Sequence, residues 1–379
     1  MARGAAALFQ ILIIQQISQK YGTGFVGIYS TAIFPATFFS WVFSLGITNT
    51  NIFLLTEDSN NLKTAIYNGK SVIATGFLWL VFILPYLYFS NVSATLWFLI
   101  SLIYITFIIL IVINSILIGL GFYNRYSLTV LFQFGIVFLG TYLTNKIGVN
   151  TVLTFWFMAN LFCILINIGL VWSVLSTRLT IGLYKKSIIL LMPSFRADTI
   201  TYALNRGDFL LAPILLSSGL VGVYYIYLQF MEGFNAIVKL FGPILQREIS
   251  KDSRKTILGA LGIFILISLL IIISLLTFDF WVGFISDELR GYQSLMQIWF
   301  LTIGAYTFYN ISKFLVLGIG KFNYVYYWSL VGLIVLFLSI LAIPNKFLAI
   351  IFVKLVVFLF LGIVFFMRVI KERWHMTNG

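Results

Sequence analysis

The chain has 379 residues, of which 61% are hydrophobic and only 9% charged, whereas soluble proteins contain roughly 25% charged residues. This composition excludes a soluble globular protein and indicates an all-α integral membrane protein. A single cysteine, Cys163, and a single histidine, His375, exclude a disulfide framework and a Cys/His metal cluster. We therefore expect no metal and no cofactor. The formal net charge of +13 does not indicate a nucleic-acid partner, because most of the positive residues fall in one set of loops.

Apolar runs separated by polar breaks predict about twelve membrane helices, as many as this length allows at ~20 residues per span. The first run is the shortest and leaves open whether the natural chain begins earlier. Its glutamines favour a membrane helix over a cleaved signal peptide. The predicted spans are 4–19, 24–47, 71–89, 94–118, 126–144, 151–175, 187–205, 216–241, 257–278, 294–318, 322–343 and 346–368.

Short phrases recur in the same order and at nearly the same offset, which predicts two copies of one membrane unit. Gly24–Tyr29 reads GFVGIY and returns as GLVGVY in Gly219–Tyr224. Gly119–Asn124 reads GLGFYN and returns as GIGKFN in Gly318–Asn323. A weaker Lys-Thr pair recurs at 63–64 and 255–256.

The repeat predicts two six-helix bundles, over residues 1–175 and 188–379, joined by a cytoplasmic linker at 176–187 and followed by a short cytoplasmic tail. An even number of spans per copy keeps both copies in the same orientation, so the pseudo-two-fold axis is expected along the membrane normal. Substrate sites in such proteins usually lie between the repeats, near the middle of the membrane.

Lysine and arginine predict the orientation of the chain. With the N-terminus in the cytoplasm, the cytoplasmic set is about three times the size of the outer set, which places both termini in the cytoplasm. The cytoplasmic set is Arg3, Lys63, Lys70, Arg125, Arg178, Lys185, Lys186, Arg247, Lys251, Arg254, Lys255, Lys321, Arg368, Lys371 and Arg373, and the outer set is Lys20, Lys146, Arg206, Arg290 and Lys346.

The seventh predicted helix carries ionisable residues at helical spacings, and such residues in a membrane usually face water or protein. One stripe is Ser194, Asp198, Thr201, Asn205 and Asp208, and the other is Arg196, Thr199, Ala203 and Arg206. We expect both to line a wet cavity. The alternative is that Arg196 and Asp198, or Arg206 and Asp208, only satisfy each other or mark the end of the span.

Three further helices of the second half also carry ionisable residues. Glu232 shares one face of the eighth helix with Lys239, and it is a candidate proton or cation site. Lys239 either faces the cavity or extends to the cytoplasmic boundary, and the same two readings are open for Lys354 in the twelfth helix. The tenth helix carries Tyr306, Tyr309 and Lys313 on one face, as either sugar-phosphate ligands or ordinary core packing. The first half offers no mid-helix charge.

The chain resembles the Wzx-type lipid-linked oligosaccharide flippases of the multidrug/oligosaccharidyl-lipid/polysaccharide (MOP) exporter superfamily. The resemblance covers essentially the whole chain and rests on Tyr21–Tyr29, Ser44–Gly46, Asn205–Leu211 and Gly219–Tyr224. It implies a MATE-like V of two six-helix bundles in a bacterial cytoplasmic (inner) membrane. It also implies alternating-access transport of an undecaprenyl-diphosphate-linked oligosaccharide, the repeat unit of O-antigen, capsule or exopolysaccharide.

The resemblance further implies roles for the intramembrane residues. The anionic head group would be attracted by Arg196, Arg206, Lys239 and Lys313, beside the tyrosines Tyr306 and Tyr309. Ion coupling would fall to Asp198 and Glu232. Partners would be the lipid-linked oligosaccharide diphosphate, membrane lipid and a polysaccharide polymerase or chain-length protein. One departure is that the first half lacks the mid-helix arginine found in some relatives.

Two other functions stay open at this stage. A drug or small-cation exporter of the same superfamily would favour an acidic cavity in the first half, where no such carboxylate is found. A membrane polysaccharide polymerase or glycosyltransferase would need a long outer loop with catalytic groups, and the loops here are short. We therefore expect a transporter and no enzyme, with no catalytic residues.

Overall fold

The structure, a computed structural model, describes residues 2–89, 93–144, 148–249 and 253–378. Throughout these residues the regular elements are helical. Within the same residues, eight helical segments are long and apolar enough to cross a membrane, as in an all-α, multi-pass membrane protein. The segment over Ile181–Arg206, which carries both polar stripes, is not one of the eight.

The chain forms two compact units. Unit 1 comprises Met1–Ile13 and Ile28–Tyr202, and unit 2 comprises Ile14–Gly27 and Ala203–Gly379. All three boundaries, at 13/14, 27/28 and 202/203, fall inside helices and not in a polar connection. The predicted bundles 1–175 and 188–379 and the linker 176–187 stay predictions.

Each predicted span has a helix in the structure, and several of these helices extend past the predicted ends. In chain order the helices are α1 (Ala2–Phe43), α2 (Ile47–Glu57), α3 (Leu62–Phe89), α4 (Ala94–Gly119), α5 (Tyr123–Leu143), α6 (Val149–Ile166), α7 (Ile168–Ser176), α8 (Ile181–Arg206), α9 (Ala212–Leu215), α10 (Ser218–Glu248), α11 (Ser253–Leu276), α12 (Phe278–Ile285), α13 (Gln293–Gly318), α14 (Phe322–Ala342) and α15 (Lys346–Asn378). Three short 3₁₀ turns, Ser59–Asn61, Gly207–Leu210 and Asp287–Tyr292, complete the list.

Helix α1 combines the first two predicted spans, with a break between them. Gly22 has φ 79° and ψ 171°, a conformation that L side chains rarely adopt, and the helix restarts after it. The restarted end is capped from the Asp287–Tyr292 turn, because the Glu288 carboxylate accepts hydrogen bonds from Thr23 N at 2.9 Å and Thr23 Oγ1 at 2.5 Å. A carboxylate at a helix N-terminus satisfies free N–H groups and complements the helix dipole.

The two GxxGxY phrases meet within unit 2. A Cβ placed on Gly27 would lie 1.9 Å from the Ser218 carbonyl oxygen, and one on Gly222 would lie 1.9 Å from the Thr23 carbonyl oxygen. The contact is reciprocal, because Thr23 and Ser218 hold equivalent positions in the two copies. Close helix approach of this kind requires small residues. The first repeat therefore marks a helix crossing at which each copy contacts the other.

The second repeated phrase ends two helices in the same way. Gly121 (φ 77°) follows α4 and Gly320 (φ 76°) follows α13. The next residue donates its N–H back to the helix at each site, from Phe122 to Leu117 O at 2.8 Å and from Lys321 to Val316 O at 3.2 Å. Both are Schellman-type caps, which favour glycine at the left-handed position. The repeat predicted from sequence is thus also found in local backbone geometry.

The core of unit 1 contains neutral polar groups. Asn160 accepts a hydrogen bond from Gln133 at 2.8 Å and donates to Thr106 at 3.0 Å, linking α4, α5 and α6. Asn51 on α2 donates to Ser115 on α4 at 3.0 Å. These buried groups satisfy one another without a charge, as polar groups in a membrane interior must.

Candidate functional site

The most buried charges of the described residues form a cluster in unit 2. Lys354 on α15 and Asp208 in the Gly207–Leu210 turn form an ion pair with Nζ and Oδ1 2.8 Å apart, and both side chains are 0% exposed. The Lys354 ammonium donates hydrogen bonds at 2.9 Å to the Tyr224 hydroxyl and to the main-chain oxygen of Asn205. The Tyr224 hydroxyl in turn donates to Asp208 Oδ2. We call these four residues the Lys354 cluster.

The C-terminal end of helix α8 and the buried ring of Tyr224 explain why the groups of the Lys354 cluster lie together. Helix α8 ends at Arg206, so the carbonyl oxygen of Asn205 lies in the last turn, where carbonyls lack an intrahelical partner. A cation is favoured there by the helix dipole. Tyr224 is the tyrosine of the second GxxGxY phrase. Its ring is fully buried between Phe209 and Trp299.

The cluster bears on two alternatives that the sequence left open. Lys354 does not extend to a membrane boundary, because its side chain is completely buried beside Asp208. Asp208 is paired with Lys354 and Arg206 with Glu232, and both residues lie where α8 ends. The helical stripe also ends early, since α8 stops at Arg206 and Asp208 lies in the turn that follows.

Arg206 pairs with Glu232 on α10. Arg206 Nη2 lies 3.2 Å from Glu232 Oε1, and the two side chains are 11% and 18% exposed. A guanidinium beside a carboxylate supplies its counter-charge and competes with other cations for it. Unit 2 thus brings together two residues that were predicted to have separate roles, head-group attraction for Arg206 and ion coupling for Glu232. Both roles stay predictions.

The predicted tyrosine face of α13 lies in the interior of unit 2. Tyr306 and Tyr309 are buried and stack with ring centroids 6.4 Å apart, and both pack on Phe358 of α15. The Tyr306 hydroxyl accepts from Asn235 at 3.2 Å. Lys313 at the end of this row is half-buried, and its ammonium lies 5.6 Å from the Tyr309 ring centroid. The row is packed as core residues are, and its contact with substrate stays a prediction.

The remaining predicted residues divide between the two units. Arg196 and Asp198 lie in the part of α8 that belongs to unit 1. Asp198 accepts a hydrogen bond from Asn49 of α2 at 2.7 Å. Arg196 is exposed, and the described residues include no partner for it. Lys239 lies on α10, outside the residues whose side chains are described.

The equivalent tyrosine of the first repeat has a neutral partner. Tyr29 corresponds to Tyr224, and within unit 1 its buried hydroxyl accepts a hydrogen bond of 2.8 Å from Trp156 Nε1 on α6. At the equivalent position of the second copy, the Tyr224 hydroxyl bonds to an ammonium and a carboxylate.

Sequence reasoning missed the Lys354 cluster although its residues carried a signal. Lys354 stands in the middle of an apolar helix, where a lysine is costly without a partner. Asp208 and Tyr224 stood in the stretches that carried the resemblance. What the sequence lacked was the pairing, because helical spacing fixes the face of one helix and not the partner on another.

The chain has the fold of MATE transporters. The chain resembles an inward-facing multidrug resistance MATE family transporter of the MOP superfamily at 10% identity and a TM-score of 0.73, over 98% of this chain and 96% of that one. It resembles a eukaryotic MATE transporter at 13% identity and a TM-score of 0.66, over 99% and 95%.

A third solved structure shares the fold with a different binding pocket. It is a MOP superfamily transporter from Pyrococcus furiosus, whose structure is described as having a pocket of reverse polarity that suggests a different function. The identity is 12% and the TM-score 0.57, over 99% of this chain and 96% of that one. No protein-family model and no curated protein sequence matches the chain.

Proposed function

We propose that this chain is a flippase that moves an undecaprenyl-diphosphate-linked oligosaccharide across the bacterial cytoplasmic membrane by alternating access. The proposal includes twelve spans in two six-helix bundles and cytoplasmic termini. The fold supports transport, and the resemblance of Asn205–Leu211 and Gly219–Tyr224 supports the Wzx-type branch. The functional partner would be a polysaccharide polymerase or chain-length protein.

One observation carries the choice of an anionic substrate. Asp198, Asp208 and Glu232, carboxylates on or next to α8 and α10, are each engaged by a hydrogen-bond donor or a cation. Arg196 on α8 is exposed and has no partner among the described residues. An exposed guanidinium can bind a diphosphate in bidentate fashion, whereas a cationic drug would need an available carboxylate.

The second candidate function is export of drugs or small cations. The multidrug transporter of the same fold favours it, although at 10% identity the likeness concerns the fold alone. The engaged carboxylates argue against it in this chain. A polymerase or glycosyltransferase is not supported by the fold.

The test is Arg196→Ala in a bacterium that depends on this chain to export its surface polysaccharide. We expect loss of export and accumulation of the lipid-linked repeat unit, while the protein stays at normal levels in the membrane. Arg196→Lys keeps the charge but not the bidentate geometry and should retain partial export. Lys186→Ala, an exposed cation near the start of the same helix, is the matched control and should export normally. Normal export by Arg196→Ala would remove this residue from substrate binding.

A further inference from the structure

The Lys354 ammonium has the surroundings of a bound monovalent cation. Three oxygens lie 2.8–2.9 Å from Nζ, namely Asp208 Oδ1, the Tyr224 hydroxyl and the Asn205 main-chain oxygen. Their chemistry is that of alkali-metal sites: one carboxylate, one hydroxyl and one helix-terminal carbonyl. These are ordinary ammonium–oxygen hydrogen-bond lengths, and K⁺ has about the size and the charge of an ammonium group, so the same oxygens suit K⁺.

The three oxygens are held in place by the surrounding helices and not only by their bonds to Lys354. The Asn205 carbonyl is fixed by the end of α8, and the Tyr224 hydroxyl is fixed by a ring buried beside Trp299. Asp208 receives the Tyr224 hydrogen bond on its second oxygen, which orients its first oxygen toward Nζ. Removing the lysine side chain would therefore leave a prearranged oxygen set with one negative charge.

We propose that Asp208, Tyr224 and Asn205 form a monovalent-cation site in which the tethered ammonium of Lys354 is the resident cation. The charge of Asp208 is balanced inside unit 2, so the native site takes no ion from solution. When the ammonium is removed, the site binds K⁺ or a small alkylammonium ion. This inference concerns the interior of unit 2 and does not depend on the transported substrate.

The test is the thermal stability of the full-length chain and of Lys354→Ala, purified in detergent with K⁺, propylammonium or choline chloride at equal ionic strength. Propylammonium replaces the deleted Cγ, Cδ, Cε and Nζ, whereas the trimethylated nitrogen of choline has no N–H to donate. For Lys354→Ala we expect the unfolding midpoint to rise saturably with K⁺, by about 3–6 °C when K⁺ is in tenfold excess over its Kd. Propylammonium should also raise the midpoint, and choline should not.

Two controls isolate the site. The unfolding midpoint of the native chain should be the same in K⁺ and in choline. The double variant Asp208→Asn/Lys354→Met lacks both charges, and its midpoint should also be the same in the two salts. A K⁺ effect that persists in this double variant would place the ion elsewhere and overturn the proposal.

If Lys354→Ala does not fold, the same measurement is made on a second variant. Lys354→Asn is shorter than lysine, leaves the Nζ position open and adds an amide oxygen, so it should show the same K⁺ dependence. If Lys354→Ala responds equally to K⁺, propylammonium and choline, the oxygen set is not a cation site. The same conclusion follows if neither variant can be isolated folded in K⁺ or propylammonium.

Discussion

The helix crossing at Gly27 and Gly222 makes the sharpest prediction about stability. In Gly222→Ala the new Cβ would lie 1.9 Å from the Thr23 carbonyl oxygen, whereas ordinary contacts begin near 3.4 Å. The two helices would have to separate by about 1.5 Å, the difference of these distances. The clashing atoms are backbone and cannot rotate away.

The expected loss of stability in Gly222→Ala is the difference of two opposing effects. Alanine is the better helix former by about 1 kcal/mol. Overpacking costs about 1–3 kcal/mol, and we expect the upper end because both helices must move. The net loss is about 2 kcal/mol, or a fall of about 4–8 °C in the unfolding midpoint for a unit of this size.

The assay is thermal unfolding of the detergent-solubilised chain, followed by intrinsic fluorescence and size-exclusion chromatography. Gly219→Ala is the matched control from the same phrase, because its nearest foreign atom is 3.9 Å away. Gly259→Ala on α11 meets no atom within 4 Å and should be neutral or slightly stabilising. Equal midpoints for Gly222→Ala and Gly219→Ala would refute the close crossing.

The remaining predictions concern charged contacts of unit 2. Lys354→Met leaves Asp208 buried without a counter-charge and should lower stability by about 3–5 kcal/mol, whereas adding Asp208→Asn should recover most of that loss in the same unfolding assay. No recovery in the double variant would mean that the loss comes from packing and not from charge. Glu288→Gln weakens the cap on Thr23 and should cost about 0.3–1 kcal/mol. An unchanged midpoint at low salt would show that the cap does not stabilise α1.

Much of the fold could be predicted from the sequence because membrane helices are encoded locally. The length of the apolar runs predicted the helices. The repeated glycine phrases correspond to the close helix crossing at Gly27 and Gly222 and to the caps at Gly121 and Gly320. The break in α1 at Gly22 was predicted only as a gap between spans. The short helix α2 (Ile47–Glu57) was not predicted, because all but its first residue lies in the connection between the predicted spans 24–47 and 71–89; Gly46, with φ 68°, separates it from α1. Likewise α6 and α7 occupy one predicted span, which the structure divides at Asn167.

The candidate site was less predictable, because it depends on pairing between distant helices. Helical spacing identified Arg206 and Glu232 as intramembrane charges but gave no reason to join them. It assigned Asp208 to the α8 stripe, whereas a turn redirects Asp208 to Lys354. Such partners are set by tertiary packing, which no local pattern contains.

The most direct test of the proposed function is transport by the purified chain in liposomes. The substrate is a polyprenyl-diphosphate disaccharide, and the control is the same disaccharide on the uncharged polyprenyl alcohol. The proposal predicts that the native chain moves the diphosphate lipid between leaflets much faster than the uncharged lipid, and that Arg196→Ala removes this difference. Equal rates for both lipids, or export of ethidium with no movement of either, would contradict it.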